Sequence, residues 1–334
     1  MLPDTASTIA IGIIGGAGYT GGELLRILLH HPQAHISFVH STSNAGKPVS
    51  IVHTDVLGDT DLRFTSEISL RDVDVLFLCV GHGEAKKFWA ANEIPPHVRV
   101  IDLSQDFRYA EAAQWLYGLP ELNKDRILTA HADGFNIANP GCFATCIQLG
   151  ILPMASAGLL PEEIHITGVT GSTGAGRALA ETSHFSWRSG NISVYKAFEH
   201  QHLREIQTSL RILQPSFDDE RSLYFVPMRG SFTRGILASM YLKCAESLDS
   251  VRSLYREYYA SHPFVHLTES SPDVKQVVNT NKCLISLEKH GAMIHIVSVI
   301  DNLLKGASGQ AVQNMNLLFG LPETTGLALK GSAL

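Results

Sequence analysis

One cysteine stands where a thiol can ionise. Asn139-Pro140-Gly141-Cys142-Phe143-Ala144-Thr145-Cys146 runs directly into the apolar, helix-like Ile147-Gln148-Leu149-Gly150-Ile151-Leu152. Pro140 and Gly141 make a tight turn, so the spacing predicts the Cys142 sulfur at a helix N-terminus. Unpaired backbone N–H groups and the helix dipole favour an anion there, and the thiolate is the nucleophile. A small buried hydrophobe is the competing reading of a lone cysteine. His200 and His202 stand in Tyr195–Ile206, a stretch predicted to open a helix. Histidine moves protons near neutral pH. Two histidines two apart do not share a helix face, but near a helix start one can face a cleft. No cysteine or carboxylate cluster with zinc-like spacing accompanies them, so the reading is no metal. Arg108 follows a strand-like run, where its planar fork suits a phosphate or carboxylate as well as a surface ion pair. The glycine turn Gly171-Ser172-Thr173-Gly174-Ala175-Gly176-Arg177 lacks the lysine of a nucleoside-triphosphate loop. It reads equally as an anion-facing loop and as a chain reversal.

The elements that must position these residues begin with Ile9–Ile14, a β-rich run. Gly15-Gly16-Ala17-Gly18-Tyr19-Thr20-Gly21-Gly22 comes next, then Glu23–Leu29 with apolar residues at helical spacing. Strand, glycine turn and helix in this order, with Gly16-x-Gly18-x-x-Gly21, meet the dinucleotide fingerprint, in which a pyrophosphate rests on the helix N-terminus. A second strand, His35–His40, ends in Ser41-Thr42-Ser43-Asn44-Ala45-Gly46-Lys47. An NAD site normally carries a carboxylate near this strand end; hydroxyls and a lysine point to NADP. Strands are also predicted at 73–80, 99–103, 164–170, 223–228, 235–242 and 293–300, and helices at 84–92, 248–260 and 310–319. His82 lies in the loop after the first of these strands, as an ordinary loop residue or one facing a cofactor.

The 334 residues suffice for two domains, and 45% hydrophobic with 17% charged residues describes a soluble α/β enzyme. A net charge of −6 argues against nucleic acid as partner. No apolar run is long enough to span a bilayer, and the N-terminus shows no secretory pattern. Five scattered cysteines fit free thiols in a reducing compartment, the cytoplasm. The domain break is placed beside Cys142.

Seven motifs in order resemble N-acetyl-gamma-glutamyl-phosphate reductases over about residues 9–322. They are the glycine pattern at Gly12–Gly21, Asp-Leu-Ser-x-Asp-Phe-Arg at 102–108, Tyr-Gly-Leu-Pro-Glu at 117–121 and Asn-Pro-Gly-Cys-Phe-Ala-Thr at 139–145. Gly-Ser-Thr-Gly-Ala-Gly-Arg at 171–177, His-x-His at 200–202 and Asp-Asn-Leu-x-Lys-Gly-Ala-x-Gly-Gln-Ala at 301–311 complete the set. The resemblance implies an N-terminal Rossmann domain over 1–141, completed by about 306–334. It implies an α+β catalytic and oligomerisation domain with a mixed sheet over 142–305, and a C-terminal helix packing back on the first domain. The implied activity is reversible, NADP(H)-linked reduction of an acyl phosphate to a semialdehyde in arginine biosynthesis, by a homo-oligomer (dimer or tetramer) that releases inorganic phosphate. Cys142 takes the nucleophile's place, with His200, or His202 as second choice, moving the proton. Gly15, Gly16, Gly18, Tyr19, Thr20, Gly21, Ser41, Thr42, Ser172, Gly174 and Gly176 would hold the cofactor; Arg108, Asn139 and Arg177 would hold the substrate. Gln201 and Arg204 depart from the family's usual arginine and proline, and 180–188 is unusual, which keeps an N-succinyl substrate open beside N-acetyl. Aspartate-semialdehyde dehydrogenase is the nearest rival family. A cysteine hydrolase and a silent nucleotide sensor are the alternatives from other classes.

Overall fold

A computed structural model describes residues 8–109, 114–217 and 223–332. The chain divides into two units, Met1–Pro140 with Ala307–Ala328, and Gly141–Gly306 with Leu329–Leu334.

The first unit is wound around a seven-stranded, wholly parallel sheet. Its strands are β1 (Ile9–Ile14), β2 (Ala34–His40), β3 (Phe64–Thr65), β4 (Val75–Leu78), β5 (Arg99–Asp102), β6 (Trp115–Tyr117) and β7 (Asn136–Ala138), in the order β3-β2-β1-β4-β5-β7-β6. Every residue of β4 and β5 is buried, as strands covered on both faces must be. Helices α1 (Tyr19–Leu28), α2 (Glu84–Ala91) and α3 (Pro120–Ala130) make the connections. The short β3, β6 and β7 have no counterpart among the predicted strands.

In the second unit, α4 (Cys142–Ser156) leads into a mixed seven-stranded sheet. Its strands are β8 (Ile164–Thr170), β9 (Ser193–Val194), β10 (Leu223–Arg229), β11 (Ile236–Lys243), β12 (Val265–Thr268), β13 (Cys283–His290) and β14 (Met293–Ile300), ordered β12-β13-β14-β11-β8-β10-β9. Helices α5 (Phe185–Arg188), α6 (His202–Leu213) and α7 (Leu248–Tyr258) intervene. Helix α4 is apolar all round and buried from Phe143 to Ala155, packed on β11 and β14 between α6 and α7. Each of its leucines and isoleucines contributes about 1.5–3 kcal/mol by leaving water.

Pro153 interrupts α4, leaving the carbonyl four residues back without its helical N–H. That carbonyl belongs to Leu149 and accepts from the buried hydroxyl of Tyr259; Tyr255 of α7 donates to the next one, Gly150 O, at 2.6 Å. Tyr259, just past the end of α7, thus replaces what proline removes.

Helix α8 (Gly309–Leu318) returns the chain to the first unit, buried along its whole length against α3 and α1. Its amides are engaged: Asn314 Nδ2 donates to Gly118 O at 2.8 Å and Asn139 Oδ1 at 3.1 Å, and Asn316 Nδ2 to Thr325 O at 2.9 Å.

Candidate functional site

The glycine turn between β1 and α1 forms a cradle. Gly15 has φ +78°, and a Cβ there would lie 2.4 Å from the Cys79 carbonyl oxygen. Gly21 brings α1 against the turn, since a Cβ on it would fall 2.7 Å from Gly16 Cα. Tyr19, Thr20 and Gly21 are the first three residues of α1, whose N-cap is Gly18, so their amides belong to the donors a helix leaves unpaired. His53 holds the cradle from behind, with Nε2 2.7 Å from Gly16 O. Ser41 and Thr42 follow β2, with Thr42 exposed and Asn44 Nδ2 donating to Ser41 Oγ at 3.3 Å. Arg63 joins them, its Nη1 donating to Gly46 O at 2.9 Å beside Lys47. Two cations and two hydroxyls, with no acidic side chain in the 41–47 turn, fit a phosphate on a nucleotide ribose. Nothing in the linear spacing pointed to His53 or Arg63.

Two expected substrate ligands of this unit are engaged internally. Asn139 is fully buried; its Nδ2 donates to Ala307 O at 3.1 Å and its Oδ1 accepts from Asn314. That amide braces the turn before Cys142. Arg108 is also buried, with Nε donating to Asn139 O at 2.8 Å and Nη2 to Leu103 O at 2.9 Å. Its planar fork grips the same segment. His82 is exposed, and its Nδ1 accepts from Gln105 N.

In the second unit, Cys142 is the first residue of α4, part-exposed, with Gly141 at the N-cap. Glu205 of α6 is buried, and its Oε2 accepts from Gly141 N at 2.7 Å, tying α6 to the start of α4. From the other side Gly306 presses on the cysteine: a Cβ there would stand 2.8 Å from Cys142 Cβ. Gly306 lies in a π-helical turn, Leu304–Ser308, and its N–H bonds Asp301 O at 2.9 Å. Asp301 is in turn fully buried, paired with Arg234 at 3.0 Å and accepting from the amides of Asn279, Leu303 and Leu304.

The helix expected from Tyr195 begins only at His202. β9 and a strained turn precede it, with Lys196 at φ 45° and Phe198 at φ 62°, conformations that side-chain-bearing residues rarely adopt. The histidines therefore do not share one helix; their rings meet at 4.6 Å between centroids. His200 is buried among Phe143, Phe225 and Tyr195, edge-on to each. Burial, then the charge of Lys196, pushes its pKa down to about 4. Its Nδ1 accepts from His202 N at 3.2 Å, so in the neutral ring the proton sits on Nε2. Burial, and next the charge a Cys142 thiolate carries, pushes the Tyr195 hydroxyl up to about 12, against the pull of Arg229.

The other thiols are differently placed. Cys146, Cys244 and Cys283 are buried, and burial pushes Cys79 up to about 12. The glycine turn after β8 has its amides engaged: Gly171, Ser172 and Thr173 donate to the carbonyls of Gly235, Phe232 and Thr233, and Gly176 to Thr173. Gly174, Gly176 and Arg177 are exposed. What this turn offers a ligand is hydroxyl, carbonyl and guanidinium groups rather than a nest of N–H donors. A cleft of about 610 Å³ in the first unit, lined by Leu28, Ala34, Ile36, Leu62 and Arg63 among others, holds none of the residues expected to do chemistry. Among the described residues no group of three or more metal-ligating side chains lies together, and no helix is long and apolar enough to cross a membrane.

Residues 10–130 match the family model described as semialdehyde dehydrogenase, NAD binding domain, and 142–302 the one described as semialdehyde dehydrogenase, dimerisation domain. The chain is 56% identical over 326 residues to an N-acetyl-gamma-glutamyl-phosphate reductase of Bacteroides fragilis, covering 97% of this chain and 99% of that one. It is 55% identical over 329 residues to the enzyme of the same name from Flavobacterium johnsoniae, with the same coverage. Among solved structures, aspartate semialdehyde dehydrogenase II of Vibrio cholerae superposes with a TM-score of 0.70 at 18% identity, over 94% of this chain and 98% of that one. The Candida albicans aspartate semialdehyde dehydrogenase with NADP gives 0.69 at 15% identity, over 93% and 98%. These two likenesses concern the fold.

Proposed function

The chain belongs to the N-acetyl-gamma-glutamyl-phosphate reductase family, NADP-dependent oxidoreductases of arginine biosynthesis, and from that premise we propose how its own residues carry the reaction. The substrate is N-acetyl-gamma-glutamyl phosphate, reduced to the semialdehyde with release of inorganic phosphate. The observation that carries the reading is the part-exposed sulfur heading a buried helix, pressed by Gly306 and within electrostatic reach of Tyr195, whose ring meets that of His200.

The start of α4 favours the Cys142 thiolate. It attacks the acyl carbonyl carbon, a C–S bond forms, the C–O bond to phosphate breaks, and a thioester remains on the enzyme. NADPH, when bound, supplies the hydride that reduces this thioester. The resulting thiohemiacetal collapses to aldehyde and returns the thiolate. Amides of the first turn of α4 hold the oxyanion, an effect typically worth roughly 3–4 kcal/mol per donor. His200 acts neutral, its Nε2–H donating to the developing negative charge, with His202 fixing the tautomer through its backbone N–H. Glu205 holds Gly141, and with it the register of the sulfur.

The cradle at Gly15–Gly21 takes the pyrophosphate; Ser41 and Thr42, with Lys47 and Arg63, take the ribose phosphate. Ser172, Gly174 and Gly176 line the cofactor through hydroxyl and carbonyl groups, and Arg177 meets the substrate's phosphate. Arg108 and Asn139 support the turn that carries the cysteine. The partly exposed face of the second sheet, where His165 stacks between Tyr224 and Tyr241, suits a homo-oligomer, and the five free thiols suit the cytoplasm.

The test is phosphate-dependent NADP reduction by N-acetylglutamate semialdehyde, with the N-succinyl aldehyde alongside. Cys142→Ser should bind NADPH as the wild type does, read by fluorescence titration, and lose turnover. Appreciable activity in that variant would rule out the thioester.

A further inference from the structure

Two guanidiniums stand together near the cysteine, and no carboxylate answers them. Arg229 ends β10, paired across the ladder with Ser193 of β9. Its guanidinium carbon lies 4.9 Å from the centroid of the Tyr195 ring, and Tyr195 is within electrostatic reach of Cys142. Arg188 is 7% exposed. Its Nη1 donates to the Arg229 backbone carbonyl at 2.7 Å, Nε to Thr182 O at 3.2 Å and Nη2 to Ser193 Oγ at 3.4 Å. The Trp187 ring lies 4.6 Å from its guanidinium carbon. Burial, and then the charge of Arg229, loosens the hold of Arg188 on its proton.

Neither arginine has an acidic partner among the described residues; Arg229 hydrogen-bonds the Tyr195 hydroxyl, and its buried Nε has no partner. Bringing two cations together, one of them buried and the other half-buried, is costly unless an anion joins them. The same unit shows the ordinary solution close by, where Arg234 is answered by Asp301 at 3.0 Å.

We propose that Arg229, backed by Arg188, is the subsite for a carboxylate of the substrate that does not react. Arg229 packs on the Tyr195 ring, which itself feels the charge of Cys142, so an anion held there belongs to a part of the substrate away from the carbonyl under attack. In an N-acyl-gamma-glutamyl phosphate that anion is the α-carboxylate, three carbons from the reacting carbonyl. The planar fork takes it in two parallel hydrogen bonds and sets the acyl carbon over Cys142. The identity of the carboxylate rests on the reductase reading; the anion site itself rests on the geometry.

Two measurements on the full-length protein separate these. In the first, glutarate, a plain five-carbon dicarboxylate, competes with neutral iodoacetamide for Cys142, and the labelled peptide is quantified. Glutarate should slow labelling of the wild type. Its half-protecting concentration should rise at least tenfold in Arg229→Gln and less in Arg229→Lys, which keeps the charge and loses the fork. Labelling without glutarate reports whether each variant's site is folded. No protection of the wild type, or equal protection of all three proteins, overturns the proposal. In the second, kcat/KM is compared for N-acetylglutamate semialdehyde and for 4-acetamidobutanal, which lacks the carboxylate. The wild-type preference for the acid should fall at least tenfold in Arg229→Gln; equal losses on both aldehydes overturn the proposal. A wild type that oxidises neither aldehyde refutes the reductase reading, and the glutarate result then decides the anion site alone.

Discussion

Replacing Gly306 with alanine tests the idea that the sulfur is held by two backbones pressed together. The added methyl would stand 2.8 Å from Cys142 Cβ, 3.2 Å from Cys142 Cα and 3.3 Å from Asp301 O. Carbon atoms rest about 3.5–4.0 Å apart, so roughly 1 Å of separation has to be found. It cannot come from a rotamer, because the obstructing atoms are the Cα and Cβ of Cys142. It cannot come cheaply from either segment. Helix α4 is enclosed along its length and tied through Gly141 to Glu205, and Asp301 is fixed by Arg234 and three amides. Gly306 lies outside the left-handed region, so alanine brings a clash without backbone strain. Overpacking of this kind costs about 1–3 kcal/mol of stability, and displacing a reacting group by about 1 Å costs on the order of a hundredfold in rate. The assay is kcat for semialdehyde oxidation at saturating NADP and phosphate, with an NADPH titration and a thermal melt on the same preparation. Gly306→Ala should lose about two orders of magnitude in kcat while binding NADPH normally. A variant that melts with the wild type and keeps its kcat would show that the two backbones do not position the sulfur.

Thr42→Glu puts a carboxylate where NAD enzymes carry one, and the NADPH-over-NADH preference in kcat/KM should fall at least tenfold; an unaltered ratio means the ribose is read elsewhere. His200 is held neutral in the folded protein, with its pKa moved from 6.5 to about 4, while the unfolded chain takes up the proton near its ordinary value. The stability it confers is therefore complete above about pH 6.5 and disappears as the pH falls towards 4, amounting to about 3 kcal/mol. Urea unfolding at pH 7.5 and 4.5 should show a steeper loss for wild type than for His200→Leu, and parallel losses would refute the assignment.

The parts legible in the residues were those governed by local period and turn chemistry. The strand, glycine turn and helix over 9–28 could be read because apolar spacing changes from strand-like to helical across the glycines, and strands β8, β10, β11 and β14 because their apolar runs are long. Strands β6, β7 and β9 span only two or three residues, too few to show a period. The start of α6 was misplaced because Lys196 and Phe198 adopt left-handed backbone with no glycine to signal it. The engagement of the Asn139 amide by Ala307 and Asn314 is a contact no spacing rule can show. The approach of Gly306 to Cys142 is of the same kind. Glu205 left a fainter mark, three places after His202 and so on the same side of α6.

The two tyrosine hydroxyls that cap Leu149 and Gly150 make the nucleophile's helix dependent on chain more than a hundred positions downstream. A fragment ending before Tyr255 would carry the cysteine on a rod whose Leu149 carbonyl, robbed of its helical N–H by Pro153, stays dry and unanswered at mid-length. Grafting the Asn139–Cys146 segment onto another scaffold would import the thiol without its stiffening. The reactive sulfur is a property of the finished unit.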